Sequence, residues 1–363
     1  MNENIKGIVC ISFLCLMMML CGCHDGRTTS LAQGDTIEMK YADYLRIVRF
    51  DDRTHVDIVN PWDTTKLLHS YDITQPFTRA AVFSSVHISL IDELGHFSDI
   101  SAVSDLDYIN NNKVRAGVSD GTVVDVGSSM SPDIERLIDA NPDAILVSPF
   151  ENSGGYGAME KLGIPIIECA DYMETSPLGR AEWVKLYGLL FGCFDASCEM
   201  FDSIDASYNR LKSVSKEFSD KSKSVVFDLV TGSTWYVPGA SSTVGVVLKD
   251  AGGTYAFSDR NESGSLQLSP ETVFDKCHGA DVWIMKYTAA TDKTYAELAK
   301  DNPMYQQMQA YKNRSVYACN LHHSRFFEET PFHPDRLLRD FIKILHPEAL
   351  PGYTLEYYKP MTE

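Results

Sequence analysis

Residues 178–218 hold the longest helical periodicity in the chain, LGRAEWVKLYGLLFG running on through FDASCEMFDSIDASYNRLKSVSKEF, with one interruption near Gly192. It lies between two stretches that each alternate short apolar runs with amphipathic ones. Before it come AAVFSS (80–85), HISLIDELG (87–95), DIERLIDA (133–140), PDAILVS (142–148), GAMEKLG (157–163) and IPIIEC (164–169). After it come SVVFDLV (224–230), STVGVVLKDAGG (242–253), SPETVFDKC (269–277), ADVWIM (280–285), TYAELAK to QMQAY (294–311), SVYACN (315–320) and PDRLLRDFIKILHP (334–347). Short strands alternating with helices specify an α/β unit with a mainly parallel sheet. The pattern predicts two Rossmann-like lobes joined by one long α-helix.

The lobes share a unit. SPD at 131 leads into Glu135, Asp139 and Ala144, and SPE at 269 leads into Glu271, Asp275 and Ala280. Equivalent placement of one short pattern in two similar lobes points to an internal repeat. Ahead of the first lobe, YLRIVRF and HVDIVNPW read as a small β-rich hairpin extension over 36–78.

The first 22 residues read as a targeting segment. Lys6 gives a basic start, Ile8 to Leu20 run apolar, and the run ends in Leu20-Cys21-Gly22-Cys23. This resembles a bacterial lipoprotein signal, which implies cleavage before Cys23 and a lipid on its thiol, holding a soluble domain at a membrane surface. HDGRTTSLAQG (24–34) reads as a flexible tether. The expected organisation is signal peptide 1–22, tether and β-rich extension 23–78, N-terminal lobe 79–177, linker helix 178–220, and C-terminal lobe with tail 221–363.

With 32 Lys+Arg against 50 Asp+Glu, the formal charge is −18, which argues against a basic nucleic-acid-binding face. Beyond the signal and Cys23 the cysteines are Cys169, Cys193, Cys198, Cys277 and Cys319, with no C-x-x-C. Buried free thiols are expected, with a Cys277–Cys319 bridge as the alternative. Walker A, G-x-G-x-x-G, G-x-S-x-G and H-E-x-x-H patterns are absent, which argues against an enzyme.

The two-lobe pattern with its linker helix, carried by AAVFSSVHISLIDELG, SPDIERLIDANPDAILVSP, LGIPII, DAGG with SPETVF, and HPDRLLRDFIKILHP, resembles the helical-backbone class of substrate-binding lipoproteins. That family serves ABC importers of iron chelates, haem and cobalamin. The resemblance covers about Arg79 to Leu350. It implies a monomer in the cell envelope that binds a metal chelate between its lobes, carries no permanent cofactor and moves its lobes little. It also implies that Glu135 and Glu271, one on each lobe, dock into arginine pockets of the membrane permease.

Ligand-binding candidates are the aromatic and polar residues that follow the strands, where open α/β sheets place their ligands. Ser84, Ser85 and His87 follow the first strand. Phe150 and Tyr156 flank a glycine-rich loop. Trp235 and Tyr236 follow FDLVTGS, and His322, His323, Arg325 and Phe326 follow VYACN. At this level a ferric siderophore, haem and cobalamin all remain open. So do a histidine-ligated zinc or manganese carrier and an interaction module that kept the fold without transport.

Overall fold

The computed structural model describes residues 34–151 and 155–363. The signal segment and Cys23 lie outside the described residues. The N-terminal lobe is a five-stranded parallel sheet, in spatial order Ile166–Glu168, Ala144–Val147, Ala80–Val82, Ile100–Val103 and Val124–Asp125. Numbered by their sequence order within the lobe, these strands lie 5-4-1-2-3. The same order read from the other edge is that of doubly wound nucleotide-binding folds. The C-terminal lobe orders Thr254–Tyr255, Ser224–Phe227, Val282–Tyr287 and Val316–Asn320 in parallel, with Lys359–Pro360 as an antiparallel edge. A small antiparallel sheet, Val230–Thr231, Thr234–Pro238 and Ser265–Leu268, sits beside it.

The extension is larger than the hairpin expected from sequence. Asp35–Ile37, Leu45–Arg49, Thr54–Val59 and Leu67–Ile73 form a four-stranded antiparallel meander. Its alternation sends Leu45, Ile47, Val56 and Ile58 fully into the core, and each such burial stabilises by about 1.5–3 kcal/mol. Two buried carboxylates hold the loop between its first strands. Glu182 accepts from the backbone N–H groups of Lys40, Tyr41 and Ala42 at 2.9, 2.7 and 3.0 Å. Glu174 accepts from those of Asp43 and Tyr44, each at 3.0 Å, and from the Trp183 indole at 2.9 Å.

The expected 178–220 helix is three helices, Pro177–Glu182, Val184–Leu190 and Phe194–Lys216. Gly192, at φ +76°, makes the break before the last. The first two are buried all round: every residue of Val184–Leu190 is buried, as is every residue of Pro177–Glu182 but Arg180, and the charges of Glu182 and Lys185 pair at 2.7 Å. Only Phe194–Lys216, about 34 Å long at 1.5 Å per residue, spans the lobes. Near its middle, Asp205 takes the Tyr41 hydroxyl at 2.8 Å. Toward its end, Tyr208 donates to Asp250 at 2.8 Å and Lys212 pairs with the same carboxylate at 2.8 Å.

The lobes also touch directly. His333 meets Glu93 at 2.7 Å and Arg336 reaches the same carboxylate at 3.4 Å. Arg325 donates to Ser89 Oγ at 2.6 Å, and the Asn110 N–H donates to Glu328 at 2.9 Å. Burial alone would raise the Glu93 carboxyl. The hydrogen bond from His333 and the charge of Arg336 outweigh it and hold the group below its usual 4.5. A depressed carboxyl stabilises the fold above its unfolded value and loses that contribution as pH falls through the folded one. Glu93→Gln should therefore cost about 1 kcal/mol at neutral pH, given its partial exposure. It should also flatten the fall in stability below pH 4.5, as read by denaturant unfolding across pH.

Candidate functional site

Open α/β sheets bind ligands outside the carboxyl ends of their strands, where the strand order reverses. In the N-terminal lobe that point lies between Ala80–Val82 and Ala144–Val147. The residues leaving those strands, Phe83 and Ser148, line one depression of about 440 Å³. Its walls are Met130, Val147, Phe150, Tyr156 and Met159, its polar groups are Ser129, Ser131 and Ser148, and among the described residues no charged side chain lines it. Met130 and Phe150 are 72% and 45% exposed, apolar surface open to a ligand.

Tyr156 is held from both ends. Its N–H donates to Glu160 at 2.6 Å and its hydroxyl to Glu168 at 2.7 Å. Burial, with the Glu168 acceptor, pushes the phenol far above its ordinary value, so the ring stays neutral.

The matching point of the C-terminal lobe, between Ser224–Phe227 and Val282–Tyr287, is filled by an ion pair. Asp228, at φ +56°, accepts from the Lys286 N–H at 3.1 Å and from its Nζ at 2.8 Å. Lys286 Nζ also stands 5.6 Å from the Phe326 ring centroid. At this point the C-terminal lobe presents compensated charge.

Several candidates from sequence sit elsewhere. Trp235 is fully buried, donates its indole N–H to the Phe227 carbonyl at 2.8 Å and packs on Trp283 and Tyr305. Tyr236, on the other face of that strand, is 39% exposed. His87 is buried, with Nε2 at 2.8 Å from Asp171, which also takes the Arg180 guanidinium at 3.0 Å. Phe326 is buried against Tyr357 and Tyr358, and the exposed ring is its neighbour Phe327. These burials leave Trp235, His87 and Phe326 no exposed face to offer a ligand.

Arg325 is a lobe-to-lobe contact through Ser89, flanked by Glu328 and Glu329. His322 and His323 are exposed, and His323 Nε2 lies 3.0 Å from the Ala290 carbonyl. Arg325 and His323 line a separate cavity of about 300 Å³ with Asp292, Lys293 and Asn320, sharing no residue with the N-terminal depression. Ser84 caps the helix Ser85–Glu93 without a side-chain bond.

Sequence reasoning missed Met130, Tyr108 and Phe327. Tyr108 and Phe327, 83% and 56% exposed, lie close in sequence to Asn110 and Glu328, which bond across the lobes. Their only signal was an aromatic in a polar loop.

Glu135 and Glu271 are both exposed and occupy the same place. Each is the second residue of its helix, after the N-caps Asp133 and Ser269. Each helix leads into a strand that flanks its lobe's reversal point, so the sequence repeat is a structural one. Among the described residues no cluster of three or more His, Cys, Asp or Glu could hold a metal ion. All five cysteines in the described part are free, and burial pushes the Cys277 thiol up to about 11.

Residues 80–321 match the family model described as "Periplasmic binding protein". The chain belongs to the periplasmic binding protein family. Its members are the solute-binding components of ABC transporters. An uncharacterized lipoprotein of Methanocaldococcus jannaschii is 26% identical over 97% of this chain and 96% of its own length. A second from that organism is 24% identical over 68% and 63%.

Solved structures of similar fold include an Fe3+-hydroxamate transport protein of Saccharomonospora viridis, with TM-score 0.58 and 16% identity, covering 80% of this chain and 98% of that one. The molybdate-binding protein MolA of Haemophilus influenzae has TM-score 0.63 and 15% identity, covering 82% and 94%. The catecholate-siderophore-binding protein VctP of Vibrio cholerae has TM-score 0.58 and 19% identity, covering 76% and 96%. Among the described residues no helix is long and apolar enough to cross a membrane.

The burial of Trp235 makes a clean contrast with its neighbour. Trp235→Ala should cost about 3–5 kcal/mol of stability through the cavity it leaves, while Tyr236→Ala should stay within about 0.5 kcal/mol. Denaturant unfolding of the two variants measures both.

Proposed function

We propose that the protein captures a large, electrically neutral metal chelate, of the ferric-hydroxamate or cobalamin kind, in the cleft over the N-terminal depression. It then delivers the chelate to the permease of an ABC importer. The observation that carries this reading is the uncharged, aromatic and thioether-rich wall at the reversal point of the sheet. An anionic catecholate complex or haem would bring its charge against a depression lined by no cation among the described residues, and an uncompensated charge is costly to desolvate. A chelate arrives with its metal already coordinated, so the site supplies area and hydrogen-bonding serines. A ligand of this size gains affinity from preformed apolar walls.

Glu135 and Glu271 are the docking groups of this reading. One exposed carboxylate on each lobe, at equivalent helix starts, lets a partner with paired arginines sense both lobes at once. Cys23 carries the lipid that keeps the loaded protein next to its permease.

Calorimetric titration with a ferric trihydroxamate, cobalamin, cobinamide, a ferric tricatecholate and haemin tests the ligand class. Saturable sub-micromolar binding of a neutral chelate is expected. Binding confined to the tricatecholate, haemin or bare metal ions would overturn it. Glu135→Lys with Glu271→Lys should leave that affinity unchanged and lower transport by about tenfold or more, since breaking desolvated charge pairs costs a few kcal/mol. Uptake in cells complemented with the double variant measures this.

A further inference from the structure

The N-terminal sheet lies outside the residues that match the family, yet it reaches the wall of the depression. His69 and Tyr71 sit two apart on its last strand, hence on one face, with rings stacked at 4.5 Å and 17°. Tyr71, itself buried, accepts from the Glu168 N–H at 3.0 Å. His69 Nδ1 lies 3.7 Å from one oxygen of the Glu168 carboxylate. The other oxygen takes the Tyr156 hydroxyl at 2.7 Å. Glu168 ends the edge strand Ile166–Glu168 and is 9% exposed. Sheet, carboxylate and wall ring thus form one chain of contacts.

We propose that Glu168 is a positioning residue for ligand capture: it fixes the ring of Tyr156 in the wall, and the N-terminal sheet fixes Glu168 through His69 and Tyr71. The ligand side of this inference rests on the depression being the capture site, while the positioning itself does not. Tyr156 loses little entropy on binding because both its ends are already tied, which is how a preorganised aromatic anchor gains affinity. Its proton is committed to Glu168, so it meets a ligand as a neutral ring and an oxygen lone pair. It offers no phenolate to a bare ferric ion.

Two readouts test this on the full chain. The first needs no ligand: 19F NMR of 3-fluorotyrosine placed at position 156. The native chain and Glu168→Gln, whose amide oxygen still accepts from the phenol, should give one narrow, shifted resonance. Glu168→Ala, and His69→Ala combined with Tyr71→Phe, should move it toward the free amino acid. An unchanged resonance in Glu168→Ala overturns the proposal.

The second is binding, with a ferric trihydroxamate and cobalamin as probes. Glu168→Ala and Tyr156→Phe should each weaken affinity about tenfold, their combination no further, and Glu168→Gln should restore it. Additive losses overturn the proposal. Tyr156→Phe removes one hydroxyl, so it remains informative if Glu168→Ala fails to fold. If neither probe binds the native chain, the ligand class is wrong and the NMR result alone decides the positioning.

Discussion

One apolar core runs through the hinge. It takes Ile47 and Ile58 from the N-terminal sheet, Trp183 and Leu186 from the N-terminal lobe, Phe201 and Tyr208 from the spanning helix, and Phe341 and Tyr358 from the C-terminal lobe. The lobes cannot separate far without exposing these side chains, and each would lose about 1.5–3 kcal/mol of burial. Polar contacts follow the same line. Buried carboxylates receive backbone N–H groups: Glu182 and Glu174 hold the loop 40–44, and Asp340 holds the tail at Glu356, Tyr357 and Tyr358. Burial pushes Glu174 and Asp340 up from their ordinary values, and the hydrogen bonds they accept oppose that rise.

A fixed frame gives the repeat its meaning. In each lobe a capped helix with an exposed glutamate at its second position feeds a strand beside the sheet's reversal point. The exposed glutamate and the strand beside the reversal point are therefore joined through one short helix in each lobe. In the proposed function this holds the two carboxylates at one spacing while ligand occupies the strand ends. The two reversal points differ in chemistry. The N-terminal one is open and, among the described residues, lined by apolar side chains and serines without charge, and the C-terminal one is closed by Asp228 and Lys286.

The alternation of strands and helices made both lobes legible, because local periodicity decides element type. What sequence could not show was non-local. Trp235 and Tyr236 are adjacent aromatics on one strand, and only the reach of the indole to the Phe227 carbonyl decides which faces inward. Arg325 looked like a ligand-binding cation because its partner Ser89 is 236 residues away. His87 looked available until Asp171, 84 residues on, closed over it. The run LLHSYDI (67–73) completes the N-terminal meander, yet its strand alternation is too mixed to announce it. The exposed faces of Met130, Tyr108 and Phe327 have no periodic signature at all.

In the proposed function this frame holds a preformed cleft, with Glu135 and Glu271 at a fixed separation. Pulsed electron-paramagnetic-resonance distances between spin labels at positions 135 and 271, with Cys193 and Cys198 replaced by serine, measure it directly. The account predicts one narrow distribution in the free protein that keeps its mean when a ferric trihydroxamate or cobalamin is added. A broad or two-peaked distribution, or a large contraction on ligand addition, would contradict it.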